Sequence, residues 1–214
     1  MHRSSPTSCE SSSALHSWDD CAPFLERELR NRRASLGHRG ARATTRRLRH
    51  FGSHSPHLNA RDGAGTGTNS LWLAERGFDV LGIDVAPLAV ERANAKLAGR
   101  RLSCRFATAD FLVASPPGGP FEFIFDRGCF HIFDEPEERA LFAAQVAATL
   151  VPGGLWLSLI GSTEGPPREV GPPRRSAREV TFAIESVLEI VELRSTEFHS
   201  HGPKAWFSLA RRRL

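Results

Sequence analysis

Gly63-Ala64-Gly65-Thr66-Gly67-Thr68-Asn69-Ser70-Leu71-Trp72-Leu73-Ala74-Glu75-Arg76-Gly77-Phe78-Asp79-Val80-Leu81-Gly82-Ile83-Asp84 is a glycine-rich turn, a helix and a strand in immediate succession. Three glycines in alternation let the backbone approach a ligand closely, and the helix that follows offers unpaired N–H groups at its first turn. Apolar residues at helical spacing run from Asn69 to Arg76 and stop at Gly77, a favourable C-cap. Phe78 to Asp84 then reads as a short buried strand that ends in a carboxylate.

Downstream, the alternation repeats. Pro87 to Ala98 predicts a helix with proline in its first turn and Gly99 at its end, and Leu102 to Asp110 predicts another strand ending in an acid. Ser115-Pro116-Pro117-Gly118-Gly119-Pro120 separates it from Phe121-Glu122-Phe123-Ile124-Phe125-Asp126, so three strands in turn end in aspartate. Glu135 to Leu150 predicts a helix. Leu155 to Ile160 is apolar throughout, as a strand buried on both faces requires. Val187–Leu193 and Lys204–Ala210 alternate as neighbouring edge strands. Repeated βα units of this length predict a parallel sheet covered by helices on both faces.

The spacing of the loop is G-x-G-x-G, through which no dinucleotide-type G-x-G-x-x-G can be drawn. Asp84, with Val85 after it, stands where a carboxylate can accept both hydroxyls of an adenosine ribose. Asp110 is placed to accept from an adenine amino group with Phe111 beside the ring, although either aspartate can instead cap the helix that follows it.

Together, Gly63 to Asn69, Ile83-Asp84, Ala109-Asp110-Phe111, Phe125-Asp126-Arg127-Gly128-Cys129-Phe130-His131 and Leu150-Val151-Pro152-Gly153-Gly154 resemble the successive motifs of class I S-adenosylmethionine-dependent methyltransferases. Asp126-Arg127-Gly128 and Pro203-Lys204-Ala205-Trp206 are most similar to the thiopurine, tellurite-resistance and thiol/halide group, whose acceptors are small nucleophiles. The resemblance implies a Rossmann-like α/β fold with a seven-stranded, mostly parallel sheet and an antiparallel last strand. It implies S-adenosyl-L-methionine as cofactor and a small-molecule methyl acceptor. Gly63, Gly65, Gly67, Thr68, Asn69, Asp84, Val85, Asp110, Phe111, Asp126 and Arg127 would bind the cofactor. Asp126 and His131 are the catalytic candidates, His131 as a base for an attacking thiol or hydroxyl or else as a packing residue among Phe130, Ile132 and Phe133. Arg127 would orient a carboxylate.

Before the loop the pattern fails. The family's leading strand is an apolar run ending in an acid two residues before the first glycine, where this chain reads Ser55-Pro56-His57-Leu58-Asn59-Ala60-Arg61-Asp62. Residues 1–63 carry 11 arginines against 6 acids, whereas residues 64–214 carry 17 basic residues against 18 acids. Residues 1–62 are therefore expected to be a poorly ordered Arg/Ser/His-rich arm, out of register with the family through a shifted reading frame or a replaced N-terminus. Residues 63–214 are expected from the resemblance to form the methyltransferase domain. The alternatives are a catalytically impaired remnant and a nucleic-acid methyltransferase whose arm contacts phosphates. Neither the arm nor Phe121–Asp126 carries a nucleic-acid motif, so a nucleic-acid partner is not expected.

No apolar run approaches the roughly 18 residues of a membrane span. Four cysteines without a C-x-x-C pair predict neither a disulfide framework nor a metal cluster. A cytoplasmic monomer is the expectation.

Overall fold

The computed structural model describes residues 64–113, 119–167, 171, 173–198 and 202–214. In chain order its elements are α1 (Thr68–Glu75), β1 (Val80–Asp84), α2 (Pro87–Leu97), β2 (Cys104–Thr108), β3 (Phe121–Arg127), a 3-10 turn (Phe130–Ile132), α3 (Pro136–Thr149), β4 (Leu150–Gly161), α4 (Ala177–Glu185), β5 (Glu189–Glu197) and β6 (Lys204–Arg211).

β3 and β4 are parallel, and β6 pairs antiparallel with both β4 and β5, giving the order β3-β4-β6-β5. β1 and β2 form a separate parallel pair. The described residues thus contain six strands of a mixed sheet in two pieces, and a seventh is not among them. The segment expected to depart from the leading strand, residues 55–62, lies outside the described residues, as does the whole arm.

Side chains sort to the two faces by strand parity. Ile124, Trp156 and Trp206 join Leu81 and Ile83 under α3 and α4, where Phe142, Val146, Val180 and Ile184 bury their side chains. Phe125, Leu157 and Phe207 join Val80 on the opposite face under Trp72 and Leu73 of α1. Each core therefore runs from the two-stranded piece to the four-stranded piece, although no ladder connects them among the described residues.

Local chemistry explains the helix boundaries. Pro87 and Pro136 occupy the first turns of α2 and α3, and Glu137 and Glu138 complement the helix dipole of α3. α4 begins at a capping box: Ser176 Oγ accepts from the Glu179 N–H, and the Glu179 carboxylate accepts from the Ser176 N–H. The strand read as starting at Val187 starts at Glu189, because the Val187 and Leu188 amides still donate to the Ile184 carbonyl at the end of α4.

Candidate functional site

The carboxyl ends of the parallel strands gather the residues singled out above. Ala64 N–H donates to the Ile83 carbonyl at 2.9 Å, which brings the entry to the glycine loop against β1. Gly65 and Gly67 both have positive φ, 49° and 78°, and Gly67 is the N-cap of α1. A Cβ on Gly67 would stand 2.7 Å from both Ala93 Cβ and Phe106 Cζ, so only glycine fits this seat. Thr68 and Asn69, the first residues of α1, are half-buried. Gly63 lies outside the described residues.

Asp84 joins that loop to β1. Its Oδ2 accepts from the Gly65 N–H at 3.0 Å and its Oδ1 from the Ala86 N–H at 2.8 Å. A carboxylate offers about four acceptor positions, so both oxygens retain capacity for a ligand. Val85, next in the chain, is 68% exposed, an apolar surface beside the carboxylate.

Asp110 lies exposed after β2, and its Oδ1 accepts from the Leu112 N–H at 2.9 Å. Phe111 is placed differently from the sequence expectation. Its ring is buried and meets Phe142 edge-on at 5.5 Å, a core contact on the α3 face. The chain turns after Asp110, and that turn sends the next side chain inward.

At the end of β3, Asp126 is fully buried. It accepts from the Cys129 N–H at 2.8 Å, the Phe130 N–H at 3.3 Å and the Ser158 hydroxyl at 2.8 Å, so the carboxylate shapes the turn that leads to His131. Arg127 follows, its guanidinium 5.5 Å from the Phe198 ring centroid. His131 is 3% exposed, its Nδ1 accepts from the Gly161 N–H at 2.7 Å and its ring meets Phe198 edge-on at 5.8 Å. An Nδ1 that accepts from an amide carries no proton, so the ring is neutral with its proton on Nε2. Asp126, Arg127 and His131 are thereby brought together at the ends of β3 and β4, while Gly65, Gly67 and Asp84 form a second group at β1.

Several residues of this region escape sequence reading. Lys96, in the last turn of α2, donates to Thr66 Oγ1 at 2.6 Å and to Thr68 Oγ1 at 3.2 Å. Buried Arg175 donates to the Phe133 carbonyl and to Asp134 Oδ1 at 2.6 Å. Buried Arg139 reaches the Phe133 and Asp134 carbonyls and forms an ion pair with Glu179 at 3.4 Å. The two arginines tie the segment after His131 to α4. A cavity of about 170 Å³ opens at the end of β4 between Glu164, Arg174, Pro203 and Lys204. Among the described residues no group of three His, Cys, Asp or Glu side chains is arranged to hold a metal ion, and no helix is long and apolar enough to cross a membrane.

Residues 62–154 match the family model described as a methyltransferase domain. A 2-heptyl-1-hydroxyquinolin-4(1H)-one methyltransferase of Mycobacteroides abscessus is 26% identical over 65% of this chain and 62% of its own length. A probable thiol methyltransferase of Arabidopsis thaliana is 33% identical over 50% of each chain. The matches thus span less than two thirds of either relative. Among solved structures, a SAM-dependent methyltransferase of Methanosarcina mazei superposes with a TM-score of 0.65 at 18% identity, covering 78% of this chain and 97% of that one. Magnesium protoporphyrin IX methyltransferase of Synechocystis, solved with bound SAM, gives 0.59 at 17% identity over 88% and 84%. The motifs, the Rossmann-like fold and these likenesses agree: residues 62–154 match a methyltransferase domain, and the chain is similar to S-adenosylmethionine-dependent methyltransferases.

Proposed function

We propose that this chain transfers a methyl group from S-adenosylmethionine to a small-molecule nucleophile bearing sulfur, selenium, tellurium, halide or oxygen. The observation that carries the reading is the 3.0 Å hydrogen bond from Gly65 N–H to Asp84 Oδ2. It joins the loop that would cradle the methionyl part of the cofactor to the carboxylate that would hold the ribose. The seat at Gly67, which no Cβ can enter, and the exposed Val85 beside Asp84 fit a nucleoside ligand. The names of the two relatives, one a thiol and one a hydroxyquinolone methyltransferase, support a small heteroatom acceptor.

When bound, the cofactor would supply an electrophilic sulfonium methyl group, transferred in line to an acceptor lone pair as the sulfur leaves as S-adenosylhomocysteine. The protein's part is orientation, and well-oriented reactants gain about 7–11 kcal/mol of barrier from effective concentration alone. Asp84 would accept from the ribose hydroxyls, Asp110 from the adenine amino group, and Gly63, Gly65, Gly67, Thr68 and Asn69 would line the methionyl side. Arg127 would hold a carboxylate of cofactor or acceptor. Asp126 and His131 act here as positioning residues: the first shapes the 128–131 turn, and the second pins it to Gly161 at the end of β4.

Calorimetric titration with S-adenosylhomocysteine, followed by a panel of thiols, chalcogenides, halides and hydroxylated aromatics, tests the assignment. Saturable binding with turnover of one acceptor class is expected. Absence of binding at millimolar ligand overturns it.

A further inference from the structure

The glycine loop is anchored by residues that follow it in the chain, and one of these has no counterpart in the motifs. Gly65 is tied to Asp84 of β1, and Gly67 sits on Ala93 of α2 and Phe106 of β2. Thr66 and Thr68, on either side of Gly67, both present their hydroxyls to the single ammonium of Lys96. The bonds reach across 30 and 28 residues. They close the Gly67 turn from α2.

Residue type supports a specific role. Only two of the 28 basic residues are lysine, so at nearly every position this chain places arginine where it needs a cation. A planar guanidinium presents its donors in a fixed fork suited to carboxylate pairs, whereas an ammonium directs three donors tetrahedrally and can serve two hydroxyls two residues apart. The second lysine, Lys204, pairs instead with Glu197 across the β5–β6 hairpin.

We infer that Lys96 is a positioning residue for the cofactor's methionyl moiety, acting by clamping Thr66 and Thr68 and so fixing the direction of the loop N–H groups. The inference rests on the cofactor reading above. Lys96 does not touch Asp84 or the adenosine side, so its removal selectively weakens ligands that reach the loop.

The test is a pair of titrations of the full chain, one with S-adenosylhomocysteine and one with adenosine, which lacks the amino-acid arm. Lys96→Met is expected to raise the Kd for S-adenosylhomocysteine about ten-fold, the loss that follows when a hydrogen bond to a charged group is removed. The Kd for adenosine should stay within about two-fold of the parent, which also shows that the variant is folded. Thr66→Val combined with Thr68→Val should reproduce the effect, and adding Lys96→Met to that pair should weaken binding no further, because residues acting as one unit are not additive. Equal weakening of both ligands, or full additivity of the lysine and threonine changes, overturns the inference while leaving the cofactor reading in place. A parent chain that binds neither ligand overturns both.

Discussion

The three strand-terminal aspartates share a local task that their sequence context already suggests. Asp84, Asp110 and Asp126 each accept the N–H of a residue two or three positions on, which is how a short acidic side chain turns the backbone out of a strand. They differ in what remains. Asp126 is enclosed and accepts from three donors, whereas Asp84 and Asp110 stand at the open edge. Replacement at Asp84 should therefore act on the ligand: Asp84→Asn is expected to raise the Kd for S-adenosylhomocysteine about 10- to 100-fold, the range for losing charge-assisted hydrogen bonds, as calorimetry would measure. Asp126→Asn should instead lower Tm, through a buried acceptor lost to the 128–131 turn.

Legibility at this scale follows the range of each contact. An acid at the end of an apolar strand is a local pattern, and the place of Asp84 at the end of β1 reads directly from it. Phe111 does not, because adjacency to Asp110 says nothing about which way the turn sends the next side chain. Lys96 is illegible for a further reason: its hydroxyl partners lie a helix and a strand away, and the packing of α1 and α2 on the β1–β2 pair brings them together. Cys104 shows the same dependence on packing. Burial pushes its thiol up to about 11, while Arg105 lowers it and Asp79 raises it by smaller amounts. Alkylation followed by mass spectrometry should find Cys104 slower at pH 8 than in the urea-unfolded chain. Because its pKa is raised from an ordinary value of 9.0, stability present below pH 9 should fall as pH rises toward 11.

Among the elements, α4 is the one that sequence reading passed over, although Ser176-x-x-Glu179 announces it. The Pro/Gly/Arg-rich run before Ser176 masked a capping box that has both hydrogen bonds in place. Ser176→Ala should cost about 0.5–2 kcal/mol in denaturant unfolding. Glu179 adds a pH signature. Partial burial raises its pKa, but Ser176 and the cations of Arg139 and Arg175 outweigh that, so it lies below the ordinary 4.5. A carboxyl with a depressed folded pKa contributes stability above its unfolded value and loses it as pH falls through the folded one. The Tm of the parent should accordingly decline more steeply below about pH 4.5 than that of Glu179→Gln. A parallel decline in both would show that the cap carries no linked proton.

For the whole molecule, the sequence pattern identifies the βα alternation and a neighbouring final pair of strands, while the antiparallel direction of the last strand is what the resemblance implied and β6 has. It also locates the place where the family pattern stops, immediately before the glycine loop. The structure has its unpaired strand edges at the same place: among the described residues β1 pairs only with β2, and β3 only with β4. We propose that the family's leading strand, whose sequence signature residues 55–62 lack, would fill that gap. Burying one aliphatic side chain is worth about 1.5–3 kcal/mol, so replacing residues 55–61 by a Val/Ile-rich strand ending in glutamate should raise Tm by several degrees. It should also tighten S-adenosylhomocysteine binding. Unchanged Tm and affinity would remove the proposal. Translation of the two alternative frames upstream of Gly63 asks the same question of the gene.

The continuity of both cores across that break has a further consequence, in the cooperativity of the fold. Side chains bind the β1–β2 pair to the β3-β4-β6-β5 sheet above and below, but no backbone hydrogen bond does so among the described residues. Packing shared on both faces couples the two pieces, so the smaller one cannot open without exposing core surface of the larger. Amide exchange should then find Leu81 and Ile83 protected as one unit with Ile124, Leu157 and Phe207.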